Sequence, residues 1–230
     1  MKTAIMQPYF LPYIGYWQLI NSVDIFVIYD DIQYTKKGWF NRNRFLQNGK
    51  DVLFSIPLKK DSDYLNVGER FISSEFDRKK LIAQFKNAYA KAPYLKETMP
   101  LLEEIINCDE TNLFKYIHNS VTKICEYLKI DTKIVISSTL DINKELKAEK
   151  KVLALCKATG ATTYINAIGG IELYDKEEFA QNGIDLTFIK SNSIEYNQFG
   201  NFVPWLSIVD VLMFNNEKEV QKMLKRVDFI

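Results

Sequence analysis

Two polar segments near the start of the chain carry the residue types that bind phosphate. Residues 7–16 read QPYFLPYIGY, in which two prolines stiffen the backbone and Gly15 allows a ligand to approach it closely. A helix predicted to begin there offers free backbone N–H groups to an anion. Residues 30–44 hold four cations within nine residues, together with asparagines and a tryptophan. Because arginine binds phosphate through paired hydrogen bonds, this pattern predicts a site for a diphosphate-linked ligand.

Each side chain type in these segments has a role in that prediction. Lys36, Arg42 and Arg44 hold the diphosphate, and Trp39 or Tyr9 stacks on a base. The amide side chains orient polar groups of the ligand. The predicted binding residues of the two segments are Gln7, Tyr9, Tyr13, Tyr16, Gln33, Lys36, Lys37, Trp39, Asn41, Arg42, Asn43 and Arg44. The structural alternatives are a rigid aromatic strand-to-helix turn for the first segment and a solvated basic hairpin for the second.

Two further segments could line the same site. Gly169 and Gly170 follow a predicted strand, where paired glycines form either a phosphate-cradling loop or a plain turn. Within residues 191–215, the side chains predicted to line a pocket are Tyr196, Gln198, Ser207 and Asp210. The carboxylates predicted to act as a proton acceptor are Asp30, Asp31 and Asp210. The alternative for the last segment is a local helix cap at Ser207 and a helix-surface acid at Asp210.

The composition argues against several other kinds of chemistry. The single histidine, His118, lies in a helical pattern, so neither a Ser-His-Asp triad nor a histidine-based metal site can be assembled. No carboxylate cluster offers a substitute, and no metal is predicted. A net charge of +1 argues against general attraction to nucleic acids or membranes. Three scattered cysteines predict free thiols in a reducing cytoplasm, and neither a signal peptide nor a membrane span is expected.

Strand and helix patterns that would position these residues alternate along the chain, apart from a helical block in the middle. Short apolar runs predict strands at residues 3–7, 24–29, 51–57, 133–137, 162–166 and 184–189. Helical spacing predicts helices at residues 13–21, 74–90, 94–106, 110–129, 143–159, 175–181, 205–214 and 217–226. Residues 30–50 are predicted to be a polar loop or extended arm. The alternation predicts one α/β domain over residues 1–230, with a mostly parallel, Rossmann-like or HUP-like nucleotide-binding sheet and a helical insert at about residues 75–129.

The first segment resembles the loop in which nucleotidyltransferases and class I synthetases hold nucleotide phosphates with a His-x-Gly-His motif. Tyr13-Ile14-Gly15-Tyr16 stands in that place, so both histidines are missing. Tyrosine hydroxyls hydrogen-bond a phosphate but carry no positive charge. The substitution therefore speaks against adenylyl transfer by the usual route.

Three segments together resemble the WbqC-like protein family. They are residues 7–16, the stretch from Asp31 and Gln33 through Lys36 and Lys37 to residues 41–44 (NRNR), and Tyr196-Asn197-Gln198 followed by residues 202–210 (FVPWLSIVD). The resemblance implies a cytoplasmic enzyme of O-antigen, lipopolysaccharide or related surface-polysaccharide biosynthesis that modifies a nucleotide sugar. It suggests N-acyl or aminoacyl transfer, for example of glycine, to the amine of a dTDP-linked 4-amino-4,6-dideoxyhexose. ATP or an aminoacyl-tRNA would have to supply the activated acyl group.

Two other functions stay open at the level of the sequence. One is a nucleotidyltransferase or ligase related to the His-x-Gly-His enzymes with a substituted motif, and the other is a non-catalytic scaffold that binds a sugar nucleotide. The missing histidines count against the first, and the dense polar loops at the predicted strand ends count against the second. The sequence leaves the oligomeric state open, a homodimer included.

Overall fold

The computed structural model describes residues 1–230 as two β-sheets and eight α-helices. The strands are β1 (Lys2–Met6), β2 (Ile25–Ile28), β3 (Arg42–Gln47), β4 (Lys50–Ser55), β5 (Lys133–Ile136), β6 (Thr163–Ala167), β7 (Asp185–Ser191) and β8 (Val227–Phe229). The helices are α1 (Ile14–Asn21), α2 (Arg78–Ala88), α3 (Leu95–Ile106), α4 (Leu113–Leu128), α5 (Ala148–Ala158), α6 (Lys176–Gln181), α7 (Ile208–Phe214) and α8 (Glu217–Leu224). No helix combines the length and the apolar character needed to cross a membrane.

The main sheet has six strands in the order β5-β2-β1-β6-β7-β8, and five of them run parallel. β8 pairs antiparallel with β7 at one edge. The chain builds the sheet outward from β1 in one direction and then returns to add β6 on the other side of β1. The order of the strands therefore reverses between β1 and β6, and the carboxyl ends of both strands flank a crevice there. The predicted mixed α/β fold with a mostly parallel sheet is confirmed.

Helices cover both faces of the sheet because the buried strand residues alternate between two cores. Ala4 on β1 and Phe26 on β2 belong to a core of 47 buried residues, into which α1, α4 and α7 pack. Their neighbours Ile5 and Val27 point the other way, into a core of 12 residues with α5 and α6. The period of two along each strand therefore produces a three-layer arrangement.

The second sheet is a hairpin of β3 and β4, which corrects the prediction of a loop over residues 30–50. The hairpin turns at Asn48 and Gly49, both with positive φ as this turn requires. Phe45 is fully buried against Phe85 of α2, with the ring centroids 5.3 Å apart. The polar run Arg42-Asn43-Arg44 at the start of β3 masks the strand pattern in the sequence.

Several helix boundaries and one short strand also differ from the sequence predictions. α2 begins later than predicted, because Asp77 and not Ser74 accepts the N–H of Lys80 and caps the helix. α5 begins at Ala148, five residues after the predicted start at 143. β8 was not predicted, because three residues are too few to show a period.

Candidate functional site

The largest described depression lies where the strand order reverses, and we call it the switch cleft. It has a volume of about 790 Å³ and is lined by the ends of β1, β2 and β6 and by the start of α5. Six predicted site residues line it: Gln7, Tyr9, Asp31, Gln33, Gly169 and Gly170. The parallel sheet brings these residues together from opposite ends of the chain, because the carboxyl ends of its strands share one edge.

Three lysines at the start of α5 outnumber the two carboxylates of the switch cleft, Asp31 and Glu149, and leave it a small excess of positive charge. Lys144, Lys147 and Lys151 all line it. No side chain caps the N-terminus of α5, so its first backbone N–H groups stay open to an anion. Neither Lys144 nor Lys147 forms an ion pair within the protein. This end of the cleft is therefore suited to a phosphate.

Asn166 supplies a buried amide at the base of the switch cleft. It ends β6, is 6% exposed and lines the cleft, and its side chain makes no hydrogen bond within the protein. A Cβ at Gly170 would lie 2.3 Å from the Asn166 Nδ2 atom, so only glycine leaves room for this amide. Gly169 has no such neighbour within 4 Å. A buried amide without a partner is a donor and acceptor available to a ligand.

Asp31 and Lys151 form a half-buried ion pair at the edge of the switch cleft. Lys151 Nζ lies 2.7 Å from Asp31 Oδ2, and the Lys151 side chain is only 14% exposed. The Ser137 hydroxyl donates to Asp31 Oδ1 over 2.6 Å. Burial pushes the pKa of Asp31 upward, but the hydrogen bonds from Lys151 and Ser137 outweigh it and hold the pKa below its ordinary value. Asp31 is therefore ionised at neutral pH.

The neighbouring Asp30 is directed away from the switch cleft, toward the 3-10 turn that follows β5. Its Oδ1 atom accepts the backbone N–H of Ser138 over 2.9 Å, and its Oδ2 atom accepts the Ser138 hydroxyl over 2.5 Å. The Asp30 backbone N–H also lies within 3.3 Å of Ser137 Oγ. Asp30 thus ties the end of β2 to the end of β5.

A smaller depression of about 200 Å³, which we call the aromatic pocket, adjoins the switch cleft. Tyr9 lines both. The residues around the aromatic pocket are Tyr9, Pro12, Tyr13, Trp39, Asn43, Arg44 and Trp205. The Tyr9 hydroxyl donates to Gln7 Oε1 over 3.0 Å, which holds its ring at the boundary of the two depressions. Burial raises the pKa of Tyr9 and of Tyr13, so both hydroxyls are neutral at neutral pH.

Most of the basic side chains at residues 36–44, which were predicted to bind phosphate, already have partners. Lys36 pairs with Asp63 over 2.9 Å, and Arg44 Nη1 pairs with Asp51 over 3.0 Å. Arg42 donates to the backbone carbonyls of residues 37 and 38. Lys37 is exposed and lines neither the switch cleft nor the aromatic pocket. Residues 36–44 therefore contribute Trp39, Asn43 and Arg44 to the aromatic pocket but no cation to the switch cleft.

The other amides and tyrosines of the first two segments hold the backbone. Asn41 accepts the Tyr34 hydroxyl and donates to the carbonyl of residue 56. Asn43 donates to the carbonyl of Leu11 over 2.9 Å. The buried Tyr16 donates to the carbonyl of Gln7 over 3.0 Å. These bonds fix residues 7–16 against the β3–β4 hairpin.

The predicted residues near the end of the chain form a separate, buried network around Asp210. Its carboxylate accepts hydrogen bonds from the hydroxyls of Tyr89 and Tyr196 and from the Gln198 amide, at 2.8, 2.7 and 2.6 Å. Burial raises the pKa of Asp210, although the three donors work against the shift. Ser207 caps α7, accepting the N–H of Val209 and donating to the Leu11 carbonyl. Asp210 is thus a buried residue of the first turn of α7, and not the helix-surface acid of the structural alternative.

The sequence predictions missed the residues that α5 and β6 bring to the switch cleft. They are Lys144, Lys147, Lys151 and Asn166. In the sequence the lysines read as the polar face of an amphipathic helix, and Asn166 reads as the end of a strand. The position of the lysines and of Asn166 in the chain could have revealed them. Both lie next to the carboxyl end of a parallel strand, where ligands bind. Nowhere do three or more His, Cys, Asp or Glu side chains converge as a metal site would require.

The fold and this site define an α/β protein with a ligand-sized cleft at the carboxyl edge of a parallel sheet. A sequence profile of the WbqC-like protein family matches residues 7–222, and the chain belongs to that family. The chain is 30% identical over 228 residues to the Uncharacterized protein Rv1507c of Mycobacterium tuberculosis (strain ATCC 25618 / H37Rv), an alignment that covers 97% of each chain. No solved structure matches the chain.

Proposed function

We propose that the protein is a cytoplasmic enzyme that binds a nucleotide-linked amino sugar in the switch cleft and acylates the sugar amine. The observation that carries the proposal is the placement of Lys144, Lys147, Lys151 and Asn166 where the strand order reverses. We assign the sheet to the Rossmann-like or HUP-like nucleotide-binding architecture on the same ground. Such sheets bind nucleotides outside the carboxyl ends of the strands that flank the reversal.

The charge and size of the switch cleft support a diphosphate ligand. Lys144 and Lys147 have no ion-pair partner, and the open N-terminus of α5 adds partial positive charge. A volume of about 790 Å³ lies within the range of roughly 300–1,000 Å³ that is usual for small-molecule sites. We therefore place the diphosphate at the start of α5, and not on Lys36, Arg42 and Arg44.

Asp31 is the proposed proton acceptor, because it lines the switch cleft whereas Asp30 and Asp210 do not. The neutral amine nitrogen of the sugar forms a bond to the acyl carbon of an activated donor, and the bond from that carbon to the donor oxygen breaks with its electron pair leaving on that oxygen. The nitrogen gives up its proton to the Asp31 carboxylate. The donor is an aminoacyl ester or an acyl phosphate made with ATP. Gln7 and Gln33 orient the reacting groups, so catalysis depends on positioning and electrostatics.

Calorimetric titration with dTDP and UDP tests the proposed phosphate site. The wild type should bind one of them, and a Lys144→Ala/Lys147→Ala variant should bind it at least tenfold more weakly. Charge-assisted hydrogen bonds contribute about 1.5–3 kcal/mol each, and about 1.4 kcal/mol corresponds to tenfold in affinity. Lys86→Ala, which removes an exposed lysine of α2 without an ion pair, is the matched control and should bind normally. Wild-type protein that binds neither nucleotide, or a double variant that binds as well as the control, would contradict the proposal.

Mass spectrometry of reactions with dTDP- or UDP-amino sugars, ATP and amino acids tests the proposed chemistry. The proposal expects a sugar nucleotide heavier by one acyl group. Release of pyrophosphate from ATP without an acylated sugar would favour the nucleotidyltransferase or ligase alternative. Binding of the sugar nucleotide without any product, when an aminoacyl-tRNA is also supplied, would favour a scaffold.

A further inference from the structure

We propose that the aromatic pocket binds the pyranose ring of the sugar nucleotide whose diphosphate lies in the switch cleft. This inference rests on the proposed function and assigns the second half of its substrate. The two depressions share one lining residue, Tyr9. In the proposed arrangement, a ligand with its diphosphate beside the lysines of α5 extends its sugar past Tyr9 into the aromatic pocket.

Trp205 is the first observation that points to a ligand. Its side chain is 64% exposed, although tryptophan has the largest apolar side chain. Its φ angle is +60°, a left-handed backbone conformation that strains a tryptophan. The backbone on its carboxyl side is anchored, since the Ser207 N–H donates to the Arg44 carbonyl over 2.8 Å. On its amino side, Gln198 accepts the Val203 N–H over 2.7 Å. The loop thus holds an indole ring at the mouth of the pocket, edge-on to Tyr13 at 5.8 Å.

Trp39 forms another wall of the aromatic pocket and is 41% exposed. The guanidinium groups of Arg42 and Arg44 lie 5.5 and 5.4 Å from its ring centroid, which fixes the orientation of the ring. Rings held in place by such contacts offer apolar surface at little entropic cost. The C–H face of a pyranose is apolar and packs on aromatic rings, while its hydroxyls reach the polar groups at the edge.

Arg44 provides the polar edge and argues for an uncharged ring. Its Nε atom has no hydrogen-bond partner within the protein but is itself buried, so the guanidinium group must turn toward the aromatic pocket to donate to a hydroxyl or ring oxygen of a sugar. Its Nη1 atom is already paired with Asp51. Because this ion pair neutralises much of the guanidinium charge, the aromatic pocket favours a neutral hydroxylated ring over a second phosphate. Its volume of about 200 Å³ suits one ring.

The test compares a nucleoside diphosphate with the same nucleotide carrying a hexose. Calorimetry with dTDP and dTDP-glucose, and with UDP and UDP-glucose, measures what the hexose adds to binding in the wild type and in Trp205→Ala. We expect Trp205→Ala to weaken binding of the hexose-bearing ligand about tenfold and to leave binding of the plain nucleotide unchanged. Tyr64→Ala removes an aromatic side chain that is 86% exposed and lines neither depression, and it should change neither affinity.

The other outcomes of this experiment contradict either the inference alone or the inference together with the proposed function. If Trp205→Ala lowers the affinity for both ligands equally, the base and not the sugar lies in the aromatic pocket. That result would overturn this inference but leave the proposed function standing. Unchanged binding of both ligands would overturn it as well. A wild type that binds neither dTDP nor UDP would overturn the proposed function and the inference together. Trp205→Phe, which keeps a ring, should restore most of the affinity for the hexose if the contact is with the aromatic face.

Discussion

Single side chains of this protein divide into those that face the clefts and those that hold the backbone behind them. Asp31 belongs to both groups, because it lines the switch cleft and also pairs with Lys151. Asn41 and Asp210, by contrast, line neither depression and use their polar atoms on protein partners. A carboxylate or amide in a polar, aromatic-rich motif is therefore not by itself evidence of contact with a ligand.

Replacing Lys151 with methionine should destabilise the protein by about 1–2 kcal/mol at neutral pH, because Asp31 then keeps a half-buried charge without its cation. The pKa of Asp31 is held below its ordinary value in the folded state. The stability that this pair contributes is therefore present above about pH 4, near the unfolded pKa, and is lost as the pH falls through the folded pKa. Urea unfolding at pH 7 and at about pH 3 should show a difference between wild type and variant that shrinks in acid. Lys150→Met, at an exposed neighbouring position, is the control, and an equal loss in both variants would refute the role of the pair.

At the scale of elements, the switch cleft depends on two junctions that lie on opposite sides of one crevice. One is the start of α5, which presents uncapped N–H groups and lysines. The other is the end of β6, where the chain enters a 3-10 turn over Ile168–Leu173 and Gly170 packs against Asn166. Each junction is a strand or helix end, so a small backbone change there moves a cleft-lining group.

The two adjacent glycines of this turn provide a matched pair of substitutions. Gly170→Ala should displace the Asn166 amide, because the new Cβ would lie 2.3 Å from Asn166 Nδ2. The loss of roughly one hydrogen bond to the ligand should weaken nucleotide binding about fivefold. Gly169→Ala meets no atom within 4 Å and should leave binding unchanged. Calorimetry with the nucleotide that the wild type binds measures both, with circular dichroism to confirm folding. Equal affinities of the two variants would show that the Asn166 amide does not contact the ligand.

At the scale of the whole molecule, we propose that residues 1–230 fold as a single domain. The larger core joins residues from Ala4 on β1 to Leu224 on α8 and includes the helical block of α2, α3 and α4. α7 connects this block to the rest, since the Thr98 hydroxyl of α3 donates to the Leu212 carbonyl of α7 over 2.9 Å. The helical block therefore shares its apolar contacts with the sheet, which favours one cooperative unit.

Urea unfolding should accordingly give one transition with the same midpoint by far-ultraviolet circular dichroism and by tryptophan fluorescence. Circular dichroism reports the helices, many of which lie in the middle block, whereas the fully buried Trp17 reports the packing of α1 on the sheet. Coincident curves are the test of a single cooperative unit. Two separated midpoints would mean that the helical block unfolds independently and would contradict the single-domain proposal.

The sequence by itself determined most strands and helices, because the short apolar run of β1 and the helical spacing in α4 are local patterns that need no tertiary partner. It also located part of the switch cleft, namely Gln7, Tyr9, Asp31, Gln33, Gly169 and Gly170. It did not reveal β3, because the polar residues at its start mask the strand pattern and Asn43 gains its partner, the Leu11 carbonyl, only when residues 7–16 pack on the hairpin.

Only the tertiary structure decided which charges are free and which are paired. Lys151 and Asp31 are 120 residues apart in the chain and meet because β2 and β5 lie side by side and α5 returns across the sheet. Lys36 and Arg44, the most conspicuous cations of the sequence, are paired with Asp63 and Asp51. Electrostatic interactions act through space at a distance of a few ångströms, so a linear pattern of charges cannot say which of them a ligand will meet.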